Sequence, residues 1–216
     1  MDEDMPKLNQ SNPSGEPVNR RIMLAALDLF VEHGYHNVSV HDVQKQANVS
    51  IGSIYNHFGG KEGIAKALYY HLVKELEQII EAVMAEEISF RERCNRIISL
   101  LFEYTETRRN TISFMLHAKH REFLPDEPPI CSSTPFRLMR SMVEQGMQAG
   151  EIRNADPWAG ASSVFGGAIR MIQLRLDGII EQPLTTYYDD LLVCMWGGMS
   201  NEKQMPSKTH QVTNSD

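Results

Sequence analysis

Residues 39–60 read SVHDVQKQANVSIGSIYNHFGG, and their spacing decides the fold. Ser39 with Asp42 three positions on is close to a capping box, the start signal of a short helix. Val40, Val43 and Ala47 form the inner face of that helix. Asn48-Val49 is a corner, because Asn tolerates the left-handed conformation that a sharp helix–helix turn requires. Ser50 then caps a second short helix, whose inner face is Ile54 and Phe58, four apart. Gly59-Gly60 ends it. Two short helices around a tight turn make a helix-turn-helix when a third helix buttresses them.

The buttress precedes the motif. In RRIMLAALDLFVEHG (20–34), Ile22, Ala25, Ala26, Leu29 and Phe30 fall on one face of a helix that Gly34 stops. After Lys61 a long helix runs to about residue 83, with Ile64, Leu68, Leu72, Leu76, Ile79, Ile80 and Val83 down one side. Further helical segments are read at 89–106, 110–122, 135–149, 157–177 and 185–196. Thr134-Pro135 and Asp156-Pro157 mark two of the starts. LPDEPPICSST (124–134) holds three prolines and reads as a loop. Strand alternation is absent, so the expected class is all-α. The expected division is a polar tail at 1–18, a three-helix unit at 19–60, a larger helical domain at 61–200 and a second polar tail at 201–216.

Charge narrows the partners. The net charge is −7, which argues against indiscriminate coating of nucleic acid or anionic membrane. Only residues 20–61 escape the acidic bias: Arg20, Arg21, Lys45 and Lys61 stand against Asp28, Glu32 and Asp42. Cys94, Cys131 and Cys194 are far apart and lack metal-ligand spacing, so reduced thiols in a cytoplasmic protein are expected. The acidic start is unlike a signal peptide, and no apolar run has the roughly 18 residues of a membrane span. His33, His36 and His41, or His117 with His120, have no Cys or carboxylate to complete a site, so no metal or cofactor is expected. GGKEG lacks the strand and spacing of a phosphate loop. Nothing resembling a catalytic constellation stands out, and the chain is read as a non-enzyme.

Residues 22–64, about a fifth of the chain, resemble the DNA-binding domain of the tetracycline-repressor (TetR) family of bacterial regulators. Ala26, Phe30, Gly34, Tyr35, Ser39, Val40, Val43, Ala47, Val49, Ser50, Gly52, Ile54, Tyr55, His57, Phe58, Lys61 and Glu62 carry the match. Gln44 departs from the usual Ala, Asn48 from the usual turn Gly, and Gly59-Gly60 from the common Pro-Ser. The resemblance implies that Tyr55, His57 and Lys61 grip phosphates beside the major groove. Ser39, at a helix start with Val40, is placed to hold another through its hydroxyl and backbone N–H. No Arg or Lys lies on the helix that Ser50 caps, so the common bidentate guanine contact is unavailable there. Asn56 or Ser53 is expected to bond base edges and Ile51 to touch a thymine methyl, with Gly52 permitting close approach. Lys45, Arg20, Arg21 and Lys61 would supply charge at the edges.

The same resemblance implies a helical C-terminal domain that binds a small effector and dimerises through its last two helices, here 157–177 and 185–196. Close approach there would use Gly160, Ser163, Gly167 and Ala168. Composition offers the pocket: Met115, Met139, Met142 and Met171 with Phe102, Phe114, Phe136 and Phe165 would make an adaptable apolar cavity, anchored by Arg170 or His117. The expected protein is a homodimeric repressor, released from a palindromic double-stranded operator by a lipophilic or aromatic effector. A transcriptional activator, or a helical carrier or adaptor with a degenerate motif, stays open as the alternative.

Overall fold

A computed structural model describes residues 16–199, whose regular structure is all helical, with no strand among the described residues. Of the two expected polar tails, residues 1–15 and 200–216 lie outside the described residues. Helix α1 (Val18–His33) ends at Gly34, whose φ of 78° favours glycine. A single 3₁₀ turn, Tyr35–Asn37, follows. Helix α2 (Val40–Ala47) opens on a complete capping box between Ser39 and Asp42 and closes on Asn48 in the left-handed region. Helix α3 (Ile51–Phe58) is capped by Ser50 and closed by Gly59, also left-handed. The buried side chains Ile22, Ala26, Val43 and Ile54 hold these three helices together.

The 24-residue α4 (Lys61–Met84) leaves this unit and enters the larger domain. Its start lies so close to α3 that a Cβ at Gly63 would fall inside the Phe58 carbonyl oxygen. The bundle continues with α5 (Phe90–Thr107), α6 (Arg109–His117), α7 (His120–Phe123), α8 (Thr134–Gln148), α9 (Pro157–Leu176) and α10 (Tyr188–Met199). Ser89 with Glu92 forms a second capping box at the start of α5. Asp156 caps α9 by accepting from the backbone N–H groups of Trp158 and Ala159. Helix α4 packs on α1, α5 and α8; α9 packs on α5, α8 and α10.

Two segments differ from the sequence expectation. Residues 110–122 form two helices, because Ala118 and Lys119 leave helical geometry, with ψ of 130° and 67°. The last helix starts at Tyr188, with 184–187 in a tighter 3₁₀ turn before it. Gln44, in place of the usual small residue, points its amide along the α2–α3 corner and donates to the Val49 carbonyl at 2.9 Å. The corner therefore gains a bond from a residue that packing alone would make smaller.

Candidate nucleic-acid interface and effector cavity

The outward side of α3 follows from its inward side. Ile54 is completely buried and Phe58 half-buried, so residues one step away in the turn face out. Tyr55 is 56% exposed, and Gly52, Asn56 and His57 are exposed beside it, with Ile51 half-exposed. Lys45 on α2 is exposed as well. Ser53 turns its hydroxyl back to Ser50, 2.8 Å away, while its N–H donates to the Ser50 hydroxyl.

Four side chains expected to meet the DNA are engaged within the chain. Ser39 donates both its N–H (2.8 Å) and its hydroxyl (2.6 Å) to Asp42. Those hydrogen bonds hold the Asp42 carboxyl below its ordinary range, so an anion already occupies both Ser39 donors. Lys61 donates to the carbonyls of Tyr35 (2.9 Å) and Val38 (2.8 Å), and its ammonium lies 4.2 Å from the Tyr35 ring centre. Partial burial lowers its pKa. Lys61 thus ties the start of α4 to the turn after α1. Arg20 is buried, paired with Glu16 at 2.9 Å, which corrects its expected place at the DNA edge. Arg21 donates to the Asn48 carbonyl at 3.3 Å and so braces the α2–α3 corner.

The larger domain contains a narrow apolar cavity with two small lobes, each with a volume of about 20 Å³. Leu76, Leu101, Ile112 and Met115 line both, so the lobes are immediate neighbours. One lobe reaches Glu75, Tyr104 and Thr111. The other reaches Phe136, Met139, Ile169 and Ile172. At the polar end the Glu75 carboxylate takes both terminal nitrogens of Arg108 in a buried fork. His71, buried one turn before Glu75, is kept below its ordinary pKa by desolvation, with Arg108 and Arg20 acting in the same direction.

Of the effector residues read from composition, Met115, Phe136 and Met139 line this cavity. Phe102, Met142 and Phe165 are buried in packing that the cavity does not reach, and Met171 is half-buried outside its lining. Phe114 and His117 line a different opening, between α1 and α6. Arg170 is exposed, which overturns its role as a polar anchor: α9 turns that position away from the bundle while Ile169 and Ile172 face the cavity. The residues missed are chiefly the α4 stripe Leu72, Leu76, Ile79 and Ile80. Their spacing was visible, but a stripe facing a void repeats like one facing packed neighbours.

The small residues of α9 divide between inside and outside. Gly160 lies against Met147 and Val143 of α8, and Gly167 against Leu191 of α10. Trp158 and Val193 are exposed on the outer side of α9 and α10, at 58% and 73%. Cys94 is buried, Cys131 and Cys194 are exposed, and all three are free thiols. Among the described residues no helix is long and apolar enough to cross a membrane.

Comparison with known proteins agrees with this geometry. The family model described as bacterial regulatory proteins, tetR family, matches residues 22–68, and that described as tetracyclin repressor-like, C-terminal domain, matches 69–200. An uncharacterized HTH-type transcriptional regulator of Bacillus subtilis, YhgD, is 27% identical over 138 residues, 63% of this chain and 72% of its own. The fatty acid metabolism regulator protein of B. subtilis is 24% identical over 181 residues, 79% of this chain and 84% of its own. Among solved structures, the fatty acid degradation regulator FadR from Bacillus halodurans superposes with a TM-score of 0.74 at 20% identity, over 86% of this chain and 97% of that one. B. subtilis FadR in complex with stearoyl-CoA gives 0.69 at 23% identity, over 82% and 97%.

Proposed function

We propose that this chain, which belongs to the tetR family of bacterial regulatory proteins, is a homodimeric repressor that a lipophilic effector releases from a two-fold symmetric operator. The observation that carries the reading is the outer side of α3. Tyr55, Asn56, His57 and Gly52 project from a helix pinned by the buried Ile54. In this reading Tyr55 and His57 hold phosphates, Asn56 reads a base edge and Ile51 meets a thymine methyl. Val40 and Ser50 stand at the two helix starts, and exposed Lys45 supplies charge. Ser39, Ser53 and Lys61 act as braces that fix α2, α3 and α4 relative to one another.

Dimerisation through α9 and α10 places two α3 helices for two half-sites. The exposed Trp158 and Val193 support that surface, since large apolar groups favour burial. The effector enters at the two lobes, whose apolar lining suits a lipophilic group with its polar end toward Glu75 and Arg108, and widens them by displacing α4. An effector that fits better when α4 is displaced favours the conformation in which the two α3 helices no longer match successive major grooves.

Selection of duplexes from a random-sequence library by the purified protein provides the operator. Tyr55→Ala/Asn56→Ala is expected to weaken binding to it by more than about tenfold, with the melting temperature unchanged. Equal binding by the double variant would overturn the assignment of α3. A carrier or adaptor would take up lipophiles and select no duplex.

A further inference from the structure

A second opening lies between α1 with its following turn and the α6–α7 corner, with a volume of about 320 Å³ and open to solvent. It shares no lining residue with the apolar cavity. Its inner wall is aromatic. Phe30 stacks with Phe114 at 6.5 Å between ring centres, and Tyr35 with Phe123 at 4.2 Å. Its rim carries His36, His117 and Lys119 together with one carboxylate, Glu122, which lies beside His36 and Lys119.

The rim groups are loosely held. Lys119 is 3.3 Å from Glu122, His36 is 3.8 Å from the same carboxylate, and His117 is 3.8 Å from Asp177. Solvent-exposed pairs of this kind contribute little, so exchanging one for a ligand's charge costs little. An aromatic wall beneath a basic rim matches one ligand chemistry, a flat ring bearing an anion. We propose that this cleft is a second ligand site, taking a small aromatic carboxylate with its ring on the Phe30–Phe114 wall and its carboxylate at the His36, His117 and Lys119 rim.

The position of the cleft gives such a ligand an outlet. Tyr35 belongs to its wall and also carries the Lys61 ammonium 4.2 Å from its ring centre. Lys61 holds the Tyr35 and Val38 carbonyls and is the first residue of α4. Occupancy of the cleft is therefore felt where α4 leaves the three-helix unit, without passing through the apolar cavity. The site stands whether or not the cavity takes a lipophile.

The test uses the full chain, 2-naphthoate as the probe and 2-naphthamide as its neutral counterpart. Titration of isotope-labelled protein followed by amide resonances should show saturable shifts at Val31, Tyr35, Ser113 and His117, extending to Gly60 and Lys61. Leu72, Ile97 and Ile112, which belong to the cavity side, should stay in place. The amide should bind weaker by about three- to fivefold, and Lys119→Gln should remove that preference. Ser113→Trp, which fills the cleft, should abolish binding; if it does not fold, the exposed Lys119→Gln still decides. No saturable binding at millimolar naphthoate would overturn the proposal. So would shifts confined to the cavity residues, or equal affinity for acid and amide.

Discussion

The three-helix unit and the effector domain are closed by partners at very different distances along the chain. Each end of α2 and α3 is satisfied within a few positions: Ser39 by Asp42, Ser53 by Ser50, and the left-handed Asn48 and Gly59 by their own backbones. The larger domain is closed from afar. Glu75 pairs with Arg108, Glu106 with Arg175, and Asn95 accepts from both Tyr188 and Trp196. A DNA-reading surface tolerates little variation in the shape of its own backbone, so local closure suits it. A cavity that must respond to an occupant is better served by remote contacts, which change together when helices shift.

The comparison breaks most severely at its remote end. Arg108→Leu leaves the Glu75 carboxylate buried without its partner, and a loss of about 3–5 kcal/mol is expected in urea unfolding. Glu75→Leu/Arg108→Leu should recover much of that loss, which would show that the pair is kept for a purpose other than stability.

Next in size is the seam between the regions. His120 is 7% exposed, enclosed by Tyr69, Phe114 and Phe123, and burial holds its pKa down to about 4. The unfolded chain therefore binds a proton that the native chain refuses between pH values of about 6.5 and 4. Stability should fall by up to about 3 kcal/mol as pH drops through that window. Melting curves of His120→Phe should be flatter across it.

The smallest effect belongs to the local end. Ser39→Ala removes the cap of α2, and about 1 kcal/mol is expected in the same unfolding measurement. A much larger loss would mean that α2 is held chiefly by its own ends rather than by the buried Val43 and Ala47.

This difference in range also explains what could be read from the sequence. The caps of α2 and α3, the Asn48 corner and the proline-led starts of α8 and α9 each rest on neighbouring residues, and each was legible. The break between α6 and α7 carries no Gly or Pro, so periodicity ran straight across it. Arg170 sits among Ile169, Met171 and Ile172, and apolar residues on both sides hide which way the helix turns it. The roles of Ser39, Lys61 and Arg20 were obscured by a different cause. A side chain suited to phosphate is equally suited to a carboxylate or a carbonyl of its own chain. Glu16 reaches Arg20 from only four positions away, whereas only the fold brings the Tyr35 and Val38 carbonyls onto Lys61.

The missing side chain at Gly63 has a consequence for motion. With the Phe58 carbonyl filling the space a Cβ would need, α3 and α4 meet like two arms of a welded crank. The cavity wall on α4 begins at Leu72 and ends at Ile80, roughly 14–26 Å from that weld at the helical rise per residue. A sideways push of about 1 Å at the wall is then a rotation of roughly 2–4°. Because the elbow has no slack, the reading head must swing through the same angle.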